Sequence, residues 1–332
     1  MSKYAGSALL WLGAILITVL LAGFAELSMG GRKIITALGL IVDSPQLMAA
    51  FATGNTSGCD KRAYDASIDL LKVRGERLRL KQVSTKLGAE GALNRWNTPD
   101  GVYWAPNRTD FFYVLAEQTL DVYQTAGHKV RKGDIVLDCG ANLGVFTRKA
   151  LSMGASKVIA IEPVPDNIVS MSKTFEKEIA EGRVIIAPVG VWNKDDVLKM
   201  TMFDNSVLDS FVMRERDEAI AQEKQLELPL TTVDALVAKY NLERVDFIKM
   251  DVEGAERQAL AGAKQTIAKF RPRMSIATEN LEDDYLAVPR TIKGIDPAYT
   301  SSCGGCKLVG IARVRPDVMF FAPQPSVVSQ NR

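Results

Sequence analysis

Three acidic residues each stand at or just after the end of a short apolar stretch: Asp138, Glu162 and Asp251. A carboxylate accepts hydrogen bonds from hydroxyl and ammonium groups, and it can take a proton from a reacting hydroxyl. Short apolar stretches that alternate with helical segments are typical of the parallel strands of an α/β sheet. Because ligands of open α/β sheets bind beyond the carboxyl ends of the strands, we expect these three side chains to border one ligand site.

The first of these acids, Asp138, begins a glycine loop with the sequence DCGANLG. Gly140 and Gly144 allow a ligand to approach closely, and Asn142 and the helix N-terminus supply hydrogen-bond donors. A dinucleotide fingerprint requires glycine at the position of Asp138, whose charge would repel a pyrophosphate. A carboxylate there suits a ligand with an amino group, such as the methionyl part of S-adenosylmethionine, or it orders the loop itself. The alternative is a loop whose glycines only permit tight packing.

The second acid, Glu162, ends the next apolar stretch in the sequence VIAIEPVPDN. An acidic residue at this strand end can accept hydrogen bonds from both hydroxyls of a ribose. Pro163 and Pro165 prevent the strand from continuing. We therefore predict Glu162 as the ribose ligand, with an ordinary solvated strand end as the alternative.

The segment FIKMDVEGAE contains a pair of acids, Asp251 and Glu253, followed by Gly254, where a helix begins. We expect Asp251 to face the reaction centre, with Glu253 close to it, because both follow the carboxyl end of a predicted strand. Acidic residues also favour helix N-termini through capping and the helix dipole, so a structural role is the alternative for both.

The elements that must position these residues alternate between strands and helices. Predicted strands span residues 135–138, 158–162, 184–187, 245–250 and 273–277, and predicted helices include residues 143–153, 165–180 and 255–270. Residues 308–314 and 318–321 are predicted to form an antiparallel hairpin at the C-terminal end. Together these elements predict an α/β fold with a doubly wound, mostly parallel sheet.

These segments resemble the FkbM family of methyltransferases through DCGANLGVFT, AIEPVPDN, LPLTTVDAL, VDFIKMDVEGAE and RPRMSIATEN, over about residues 105–321. The resemblance implies a class I methyltransferase fold, which is Rossmann-like, with S-adenosyl-L-methionine as methyl donor. The acceptor that it implies is a hydroxyl oxygen on a glycan, a lipid-linked molecule or a natural product. Asp251 would border the methyl group. The positions that would hold the cofactor are Asp138, Gly140, Asn142, Gly144 and Glu162.

Methylation of a hydroxyl requires a group that takes the hydroxyl proton. The only histidine, His128, precedes the first predicted strand and is interpreted as a surface-loop residue. The base is therefore predicted among the carboxylates, with Asp251 favoured, Glu279 at the end of the fifth strand second, and Glu253 as a further candidate. A divalent metal held by these carboxylates would also activate the acceptor, but the sequence has no spacing typical of a metal site.

Residues 5–25, AGSALLWLGAILITVLLAGFA, contain no charge, and about 20 apolar residues suffice to span a bilayer core. We predict a single-pass membrane anchor within residues 1–30, with a cleaved signal peptide as the alternative. The positive charges on its two flanks nearly balance, so they do not fix its orientation, and the supply of S-adenosylmethionine favours the cytosolic face. The apolar run at residues 34–42 is too short to span and predicts an interfacial or docking helix.

The rest of the chain is divided into a helical stalk and linker over residues 31–100, the methyltransferase domain over residues 101–323, and a tail over residues 324–332. The net charge is +2 and the basic residues are scattered, which does not favour a nucleic-acid partner. Four cysteines are too few for a disulfide scaffold. We interpret Cys303 and Cys306 as thiols in a loop, with a strained disulfide or a zinc site as alternatives.

Two other classes of function fit parts of the sequence. A nucleotide-dependent oxidoreductase uses a similar sheet, but Asp138 replaces the glycine that its pyrophosphate site requires. A membrane-tethered scaffold without activity would have no need for the glycine loop, the ribose acid and the acid after the fourth strand together. Both classes therefore explain less of the sequence than a methyltransferase does.

Overall fold

The computed structural model describes residues 47–56, 58–59, 63–107, 109–202, 224–309 and 313–324. The predicted membrane anchor at residues 5–25, the apolar run at residues 34–42 and nearly all of the predicted C-terminal tail lie outside these residues. Within the described ranges, no helix combines the length and the apolar character needed to cross a bilayer.

The N-terminal part of the described chain contains a helical segment over residues 47–53, the helix α1 (Ala63–Val83), the antiparallel strands β1 (Thr85–Glu90), β2 (Leu93–Thr98) and β3 (Gly101–Pro106), and the helix α2 (Phe111–Thr119). Val73 and Leu80 of α1 are buried in one apolar cluster with Phe111 and Leu115 of α2, so α1 packs on the domain. The sequence predicts helix over residues 63–95, but the helix stops before β1. Gly91, with φ of 56°, then forms the left-handed turn into β2.

In chain order, the remaining elements are β4 (Ile135–Cys139), α3 (Val145–Ser152), β5 (Lys157–Ile161), α4 (Pro165–Thr174), α5 (Glu176–Ala180), β6 (Val184–Ala187), β7 (Gly190–Val191), β8 (Asp196–Met202), β9 (Lys224–Thr231), α6 (Val233–Lys239), β10 (Phe247–Met250), α7 (Glu256–Ala261), α8 (Lys264–Phe270), β11 (Arg273–Ala277), α9 (Asp284–Ile295), β12 (Tyr299–Cys303), β13 (Cys306–Val309), β14 (Arg313–Pro316) and β15 (Val318–Pro323). The central sheet has seven strands in the order β12-β15-β11-β10-β4-β5-β6. Two smaller sheets have the orders β7-β9-β8 and β13-β14.

The five adjacent strands β11, β10, β4, β5 and β6 run parallel, and β6 forms one edge of the sheet. Every residue of β10 is buried, which is typical of a parallel strand covered by helices on both faces. Apolar side chains of these strands form one core with side chains of α6, α7, α8 and α9. The predicted doubly wound α/β sheet is therefore confirmed, and the sheet is mixed because β15 runs antiparallel to β11.

The predicted pairing of the C-terminal hairpin is wrong. The described residues of the first predicted strand, 308–309 and 313–314, do not pair with residues 318–321; they belong to β13 and β14, which pair with each other. The strand β15 instead enters the central sheet between β11 and β12. Its sequence VMFF is apolar on both faces and suits an interior strand, whereas β14 alternates arginine with apolar residues and β13 contains Lys307, as suits a half-exposed hairpin.

A disulfide joins Cys59 to Cys306 across 247 positions of sequence. This bond contradicts the interpretation of Cys306 as a loop thiol and removes Cys306 from any zinc site. Cys59 and Cys306 are buried with Leu47, Ala50 and Val314 in one apolar cluster. The segment before α1 is therefore fixed against the hairpin of β13 and β14.

Candidate active site

A cavity of about 510 Å³ lies at the carboxyl ends of the central strands, and helix α2 forms one of its walls. Six of the eight predicted site residues line it: Gly140, Asn142, Glu162, Asp251, Glu253 and Glu279. The other two, Asp138 and Gly144, are not among its lining residues. We call the part formed by Gly140, Asn142 and Glu162 the cofactor end, and the part formed by Asp251, Glu253, Glu279 and α2 the acceptor end.

Asp138 is fully buried and bonds to the protein instead of facing the cavity. The parallel register of β4 and β10 places it beside Lys249. Thr147 donates a hydrogen bond to Asp138 Oδ2 at 2.7 Å, and Lys249 Nζ lies 3.6 Å from Asp138 Oδ1. Lys249 also donates to the carbonyl oxygen of Gly140 at 2.7 Å. Burial raises the pKa of Asp138 and Lys249 counteracts that rise, so the pair orders the glycine loop.

The glycine loop lies directly against the end of β10. Gly140 has φ of 75°, and a Cβ atom there would lie 1.8 Å from the carbonyl oxygen of Asp251. The amides of Gly140 and Ala141 both donate to the carbonyl of Ile161 at 3.0 Å, so they already have partners. Asn142 has φ of 52°, and its buried Oδ1 has no hydrogen-bond partner among the described residues. That oxygen is an acceptor that a bound ligand can satisfy.

Gly144 permits packing behind the loop. It has φ of 76°, and a Cβ atom there would lie 2.3 Å from the ring of Phe175. The residue precedes α3, so its lack of a side chain lets that helix begin against the Phe175 ring. Gly144 therefore has the packing role that was the alternative prediction for the glycines of this loop.

Glu162 lines the cofactor end with a carboxylate that three donors hold in place. The backbone amides of Asn142 and Val164 donate to it at 2.9 and 3.0 Å, and Asn167 Nδ2 donates at 3.2 Å. A carboxylate has about four acceptor positions, which leaves one for a ligand. Burial raises the pKa of Glu162 to about 7, and the three hydrogen bonds oppose that rise.

Asp251 lies at the acceptor end, immediately after β10. Tyr123 Oη donates to Asp251 Oδ2 at 2.7 Å, and Lys249 Nζ lies 3.9 Å from the same oxygen. Burial and the Asp251 charge raise the pKa of Tyr123 well above its ordinary value, so the phenol remains a donor. The sequence did not indicate Tyr123 or Lys249, because their contacts depend on how the strands are paired.

Glu253 follows in a turn where its own φ is 54°, and within the described residues it has no hydrogen-bond or ion-pair partner. Burial, and then the charges of Asp251 and Glu279, raise the pKa of Glu253 to about 8. The turn is held by Glu256, which accepts hydrogen bonds from the backbone amides of Val252 and Gly254 at 3.0 Å each and from Asn280 Nδ2 at 3.0 Å. Glu256 is not among the predicted site residues, although its place at the start of a helix after glycine indicates a capping role.

Glu279 is paired with the hairpin that the disulfide holds. Lys307 of β13 forms an ion pair with Glu279, and its Nζ lies 3.9 Å from Asp317 Oδ1. Arg315 of β14 donates to the carbonyl oxygen of Glu279. Since Lys307 follows the bonded Cys306 directly, the disulfide helps to place a cation at the acceptor end.

Helix α2 contributes a carboxylate, Glu117, that the sequence analysis did not select. The helix lines the cavity through residues spaced three or four apart, including Asp110, Tyr113, Val114, Glu117 and Gln118. The sequence gives no sign of what this face of the helix meets, because its neighbours come from distant parts of the chain.

The surroundings of His128 differ from the predicted surface loop. His128 is buried, not on a surface loop: its ring lies 4.9 Å from that of Phe320 and 5.5 Å from that of Phe247. Burial, and then the charge of Arg273, lowers the pKa of His128 to about 4. Among the residues with described positions, no three His, Cys, Asp or Glu side chains are grouped to hold a metal ion.

The residues of the cavity fit S-adenosylmethionine in their donor and acceptor chemistry. Glu162 keeps an acceptor position for a ribose hydroxyl, and the unpartnered Asn142 Oδ1 is an acceptor for an ammonium or hydroxyl group. The absence of a side chain at Gly140 lets the glycine loop lie directly against the backbone of Asp251. Cavities of about 300–1,000 Å³ are usual for ligands of this size.

Comparison with known proteins gives a family match. Residues 138–292 match the sequence model of the Methyltransferase FkbM domain. The 31-O-demethyl-FK506 methyltransferase FkbM of Streptomyces tacrolimicus is 25% identical over 168 residues, which cover 43% of this chain and 64% of that protein. The methyltransferase sdnD of Sordaria araneosa is 24% identical over 202 residues, which cover 51% of this chain and 77% of that protein. The chain thus spans less than two thirds of the first relative.

Solved structures give weaker similarities. Methyltransferase FkbM from Methylobacillus flagellatus is 18% identical with a TM-score of 0.43, over 79% of this chain and 62% of that one. The protein SMU.1697c from Streptococcus mutans, in complex with SAH, is 14% identical with a TM-score of 0.38, over 62% of this chain and 96% of that one. The similarity to FkbM methyltransferases therefore rests on the sequence matches.

Proposed function

We propose that this protein, which carries an FkbM methyltransferase domain at residues 138–292, transfers a methyl group from S-adenosylmethionine to a hydroxyl oxygen. The observation that supports this most is a single cavity with a fixed carboxylate, Glu162, at one end and the acids Asp251, Glu253 and Glu279 at the other. One end suits a nucleoside, and the other suits a hydroxyl that must lose a proton.

The cofactor would be held by the cofactor end, with the ribose at Glu162 and the methionyl part near Asn142 and Gly140. When bound, S-adenosylmethionine supplies an electrophilic methyl group on a sulfonium sulfur. Asp138 and Lys249 act indirectly, because their buried pair sets the position of the Gly140 carbonyl. Gly144 acts in the same indirect way by letting α3 pack on Phe175.

The acceptor end orients the acceptor. Asp251, held by Tyr123, and Glu279, held by Lys307, present fixed carboxylates to hydroxyl groups. Fixed acceptors restrict the orientation of a hydroxyl before reaction, and such positioning supplies much of the catalysis in a methyl transfer. Helix α2 forms one wall of this end.

The proposed acceptor is a hydroxyl of a glycan, a lipid-linked molecule or a natural product. The name of the Streptomyces tacrolimicus relative describes methylation of an O-demethyl natural product, which supports an oxygen acceptor. We also propose that residues 5–25 anchor the chain in a membrane with the domain on the cytosolic face, on the basis of their length and lack of charge. The proposed boundaries remain 1–30, 31–100, 101–323 and 324–332.

Incorporation of labelled methyl groups tests this proposal. Purified full-length protein would be incubated with methyl-labelled S-adenosylmethionine and separate membrane lipid, glycan and small-molecule extracts. We expect label in one fraction, in a bond stable to mild base as an ether is, and much less label with the Glu162→Ala variant when S-adenosylmethionine is not saturating. Label that is absent from every fraction, or that is found as a base-labile ester, contradicts the O-methylation of a hydroxyl.

A further inference from the structure

Glu117 lies on the face of α2 that forms a wall of the acceptor end. It is one of the cavity-lining residues of that helix, together with Asp110, Tyr113, Val114 and Gln118. Residues at this spacing share one side of a helix. Behind them, Phe111 and Leu115 are buried against α1, so the helix that carries Glu117 is packed firmly onto the domain.

The carboxylates of the cavity differ in whether they have partners. Asp251 accepts a hydrogen bond from Tyr123, Glu279 is paired with Lys307, and three donors hold Glu162. The side chain of Glu117 has no hydrogen bond and no ion pair with any residue in the described ranges. Its oxygens are therefore available to a hydroxyl that enters the acceptor end.

Charged and titratable groups on several different elements surround Glu117. Burial, and then the negative charges of Asp251 and Glu279, raise the pKa of Glu117 to about 8, while the cations Lys307 and Lys249 lower it. The other groups that interact with it electrostatically are Tyr113, Tyr123 and Asp317. A proton acceptor works best when its pKa is close to the working pH, because it is then both available and basic enough.

We propose that Glu117 is a catalytic residue that takes the proton from the acceptor hydroxyl. This inference rests on the proposed function and adds to it a residue outside the family motifs. As the hydroxyl oxygen forms its bond to the methyl carbon, its proton passes to a carboxylate oxygen of Glu117. The bond between that carbon and sulfur breaks with its electron pair on sulfur, which leaves S-adenosylhomocysteine, and Glu117 later returns the proton to water.

The carboxylate of Glu117 has to be ionised before it can accept a proton. Methyl transfer should therefore rise with pH through about 8 and level off above it. Glu117→Gln keeps the size and hydrogen-bonding capacity of the side chain but cannot accept the proton. We expect this variant to lose at least about 100-fold in methyl transfer and to lose the rise through about pH 8.

The experiment compares four proteins: wild type, Glu117→Gln, Glu117→Asp and the exposed control Glu243→Gln. Methyl incorporation is measured against pH with labelled S-adenosylmethionine and the extract fraction that accepts label. We expect Glu117→Asp to retain part of the activity and its pH dependence, and Glu243→Gln to behave as wild type. The proposal is overturned if Glu117→Gln keeps wild-type activity, or if Glu253→Gln, rather than Glu117→Gln, abolishes the pH dependence.

A second measurement does not depend on activity. Because the pKa of Glu117 is raised in the folded protein, wild type loses stability relative to Glu117→Gln as pH rises from about 4.5 to about 8. The melting temperature of Glu117→Gln minus that of wild type should therefore increase as the pH rises across this range. The proposal is overturned if this difference does not change with pH, because Glu117 would then not titrate in the pH range in which it must act as a base. Calorimetry with S-adenosylhomocysteine distinguishes failure of the Glu117 proposal from failure of the proposed function. Wild type and Glu117→Gln should bind S-adenosylhomocysteine equally well if the proposed function is right, and neither should bind it if that function is wrong.

Discussion

At the scale of single residues, Glu162 should determine how tightly the cofactor binds. Glu162→Ala removes the ribose acceptor and leaves three donors without their partner. Hydrogen bonds to charged groups contribute about 1.5–3 kcal/mol, so we expect binding of S-adenosylhomocysteine to weaken about 10- to 100-fold. Isothermal titration calorimetry measures this, with Glu243→Ala as an exposed control. Asp251→Ala should leave cofactor affinity largely intact, and an equal loss in both variants would contradict the separate roles of the two acids.

Gly140 gives a second prediction at this scale, with Gly182 as a matched control. Both have positive φ angles, but a Cβ at Gly140 would lie 1.8 Å from the Asp251 carbonyl oxygen, whereas a Cβ at Gly182 would meet nothing within 4 Å. Gly182→Ala should cost about 1 kcal/mol from the backbone alone and leave binding unchanged. Gly140→Ala should melt several degrees lower than Gly182→Ala and lose cofactor binding. Similar melting temperatures for the two variants would show that the close contact at Gly140 is not important.

The sequence predicted some of these residues well and others not at all. Glu162 and Gly140 were predictable because a strand, a glycine turn and an acid at a strand end define local geometry. The loop that contains Asp138 was predictable, but the burial of Asp138 beside Lys249 was not, because it depends on the register of β4 and β10. Glu117 could not be selected, because its neighbours come from strand ends more than a hundred residues away and only the packing of α2 brings them together.

At the scale of elements, the hairpin of β13 and β14 depends on the Cys59–Cys306 disulfide. A two-stranded hairpin is marginally stable alone, and loss of a native disulfide typically costs about 2–5 kcal/mol. We expect Cys59→Ser to lower the melting temperature, and reductant to lower that of wild type to the same level. The affinity for S-adenosylhomocysteine should not change, because the three donors that hold Glu162 belong to Asn142, Val164 and Asn167 and not to the hairpin. A melting temperature that neither the variant nor the reductant alters would contradict this role of the disulfide.

The elements that the sequence predicted best are those with an unambiguous apolar pattern. The strands at residues 184–187 and 273–277 were predicted with their observed bounds. The C-terminal pairing was wrong because two apolar stretches close in sequence suggest a hairpin, and only the sheet shows that β15 fits between β11 and β12. The disulfide was missed for the same reason, since spacing gives no sign of a partner 247 positions away.

At the scale of the whole molecule, stability should decrease as the pH rises above neutrality. Four buried or half-buried glutamates have a raised pKa, Glu253 and Glu117 at about 8, Glu162 and Glu256 at about 7. At intermediate pH the folded protein holds more protons on them than the unfolded chain does, so raising the pH favours unfolding. His128 has the opposite effect, but with a pKa lowered to about 4 it acts only below about pH 6.5. The melting temperature of the unliganded protein should therefore fall between about pH 6.5 and about pH 8.5; a constant or rising value would contradict the burial of these acids.

The family match confirms the resemblance that the motifs indicated, and with it S-adenosylmethionine as the cofactor. The motifs were sufficient for this because they are contiguous in sequence and lie at the ends of neighbouring strands. The acceptor and the membrane attachment could not be derived in the same way. The acceptor end is assembled from α2, two strand ends and a hairpin, and residues 5–25 lie outside the described chain.

Binding of S-adenosylhomocysteine to the purified full-length protein is the most direct test of the central claim, that the cavity holds the cofactor of a methyltransferase. Calorimetry should show saturable binding of one molecule per chain, weakened by Glu162→Ala, with no heat of binding for NAD under the same conditions. Saturable binding of NAD without binding of S-adenosylhomocysteine would contradict the claim and favour an oxidoreductase.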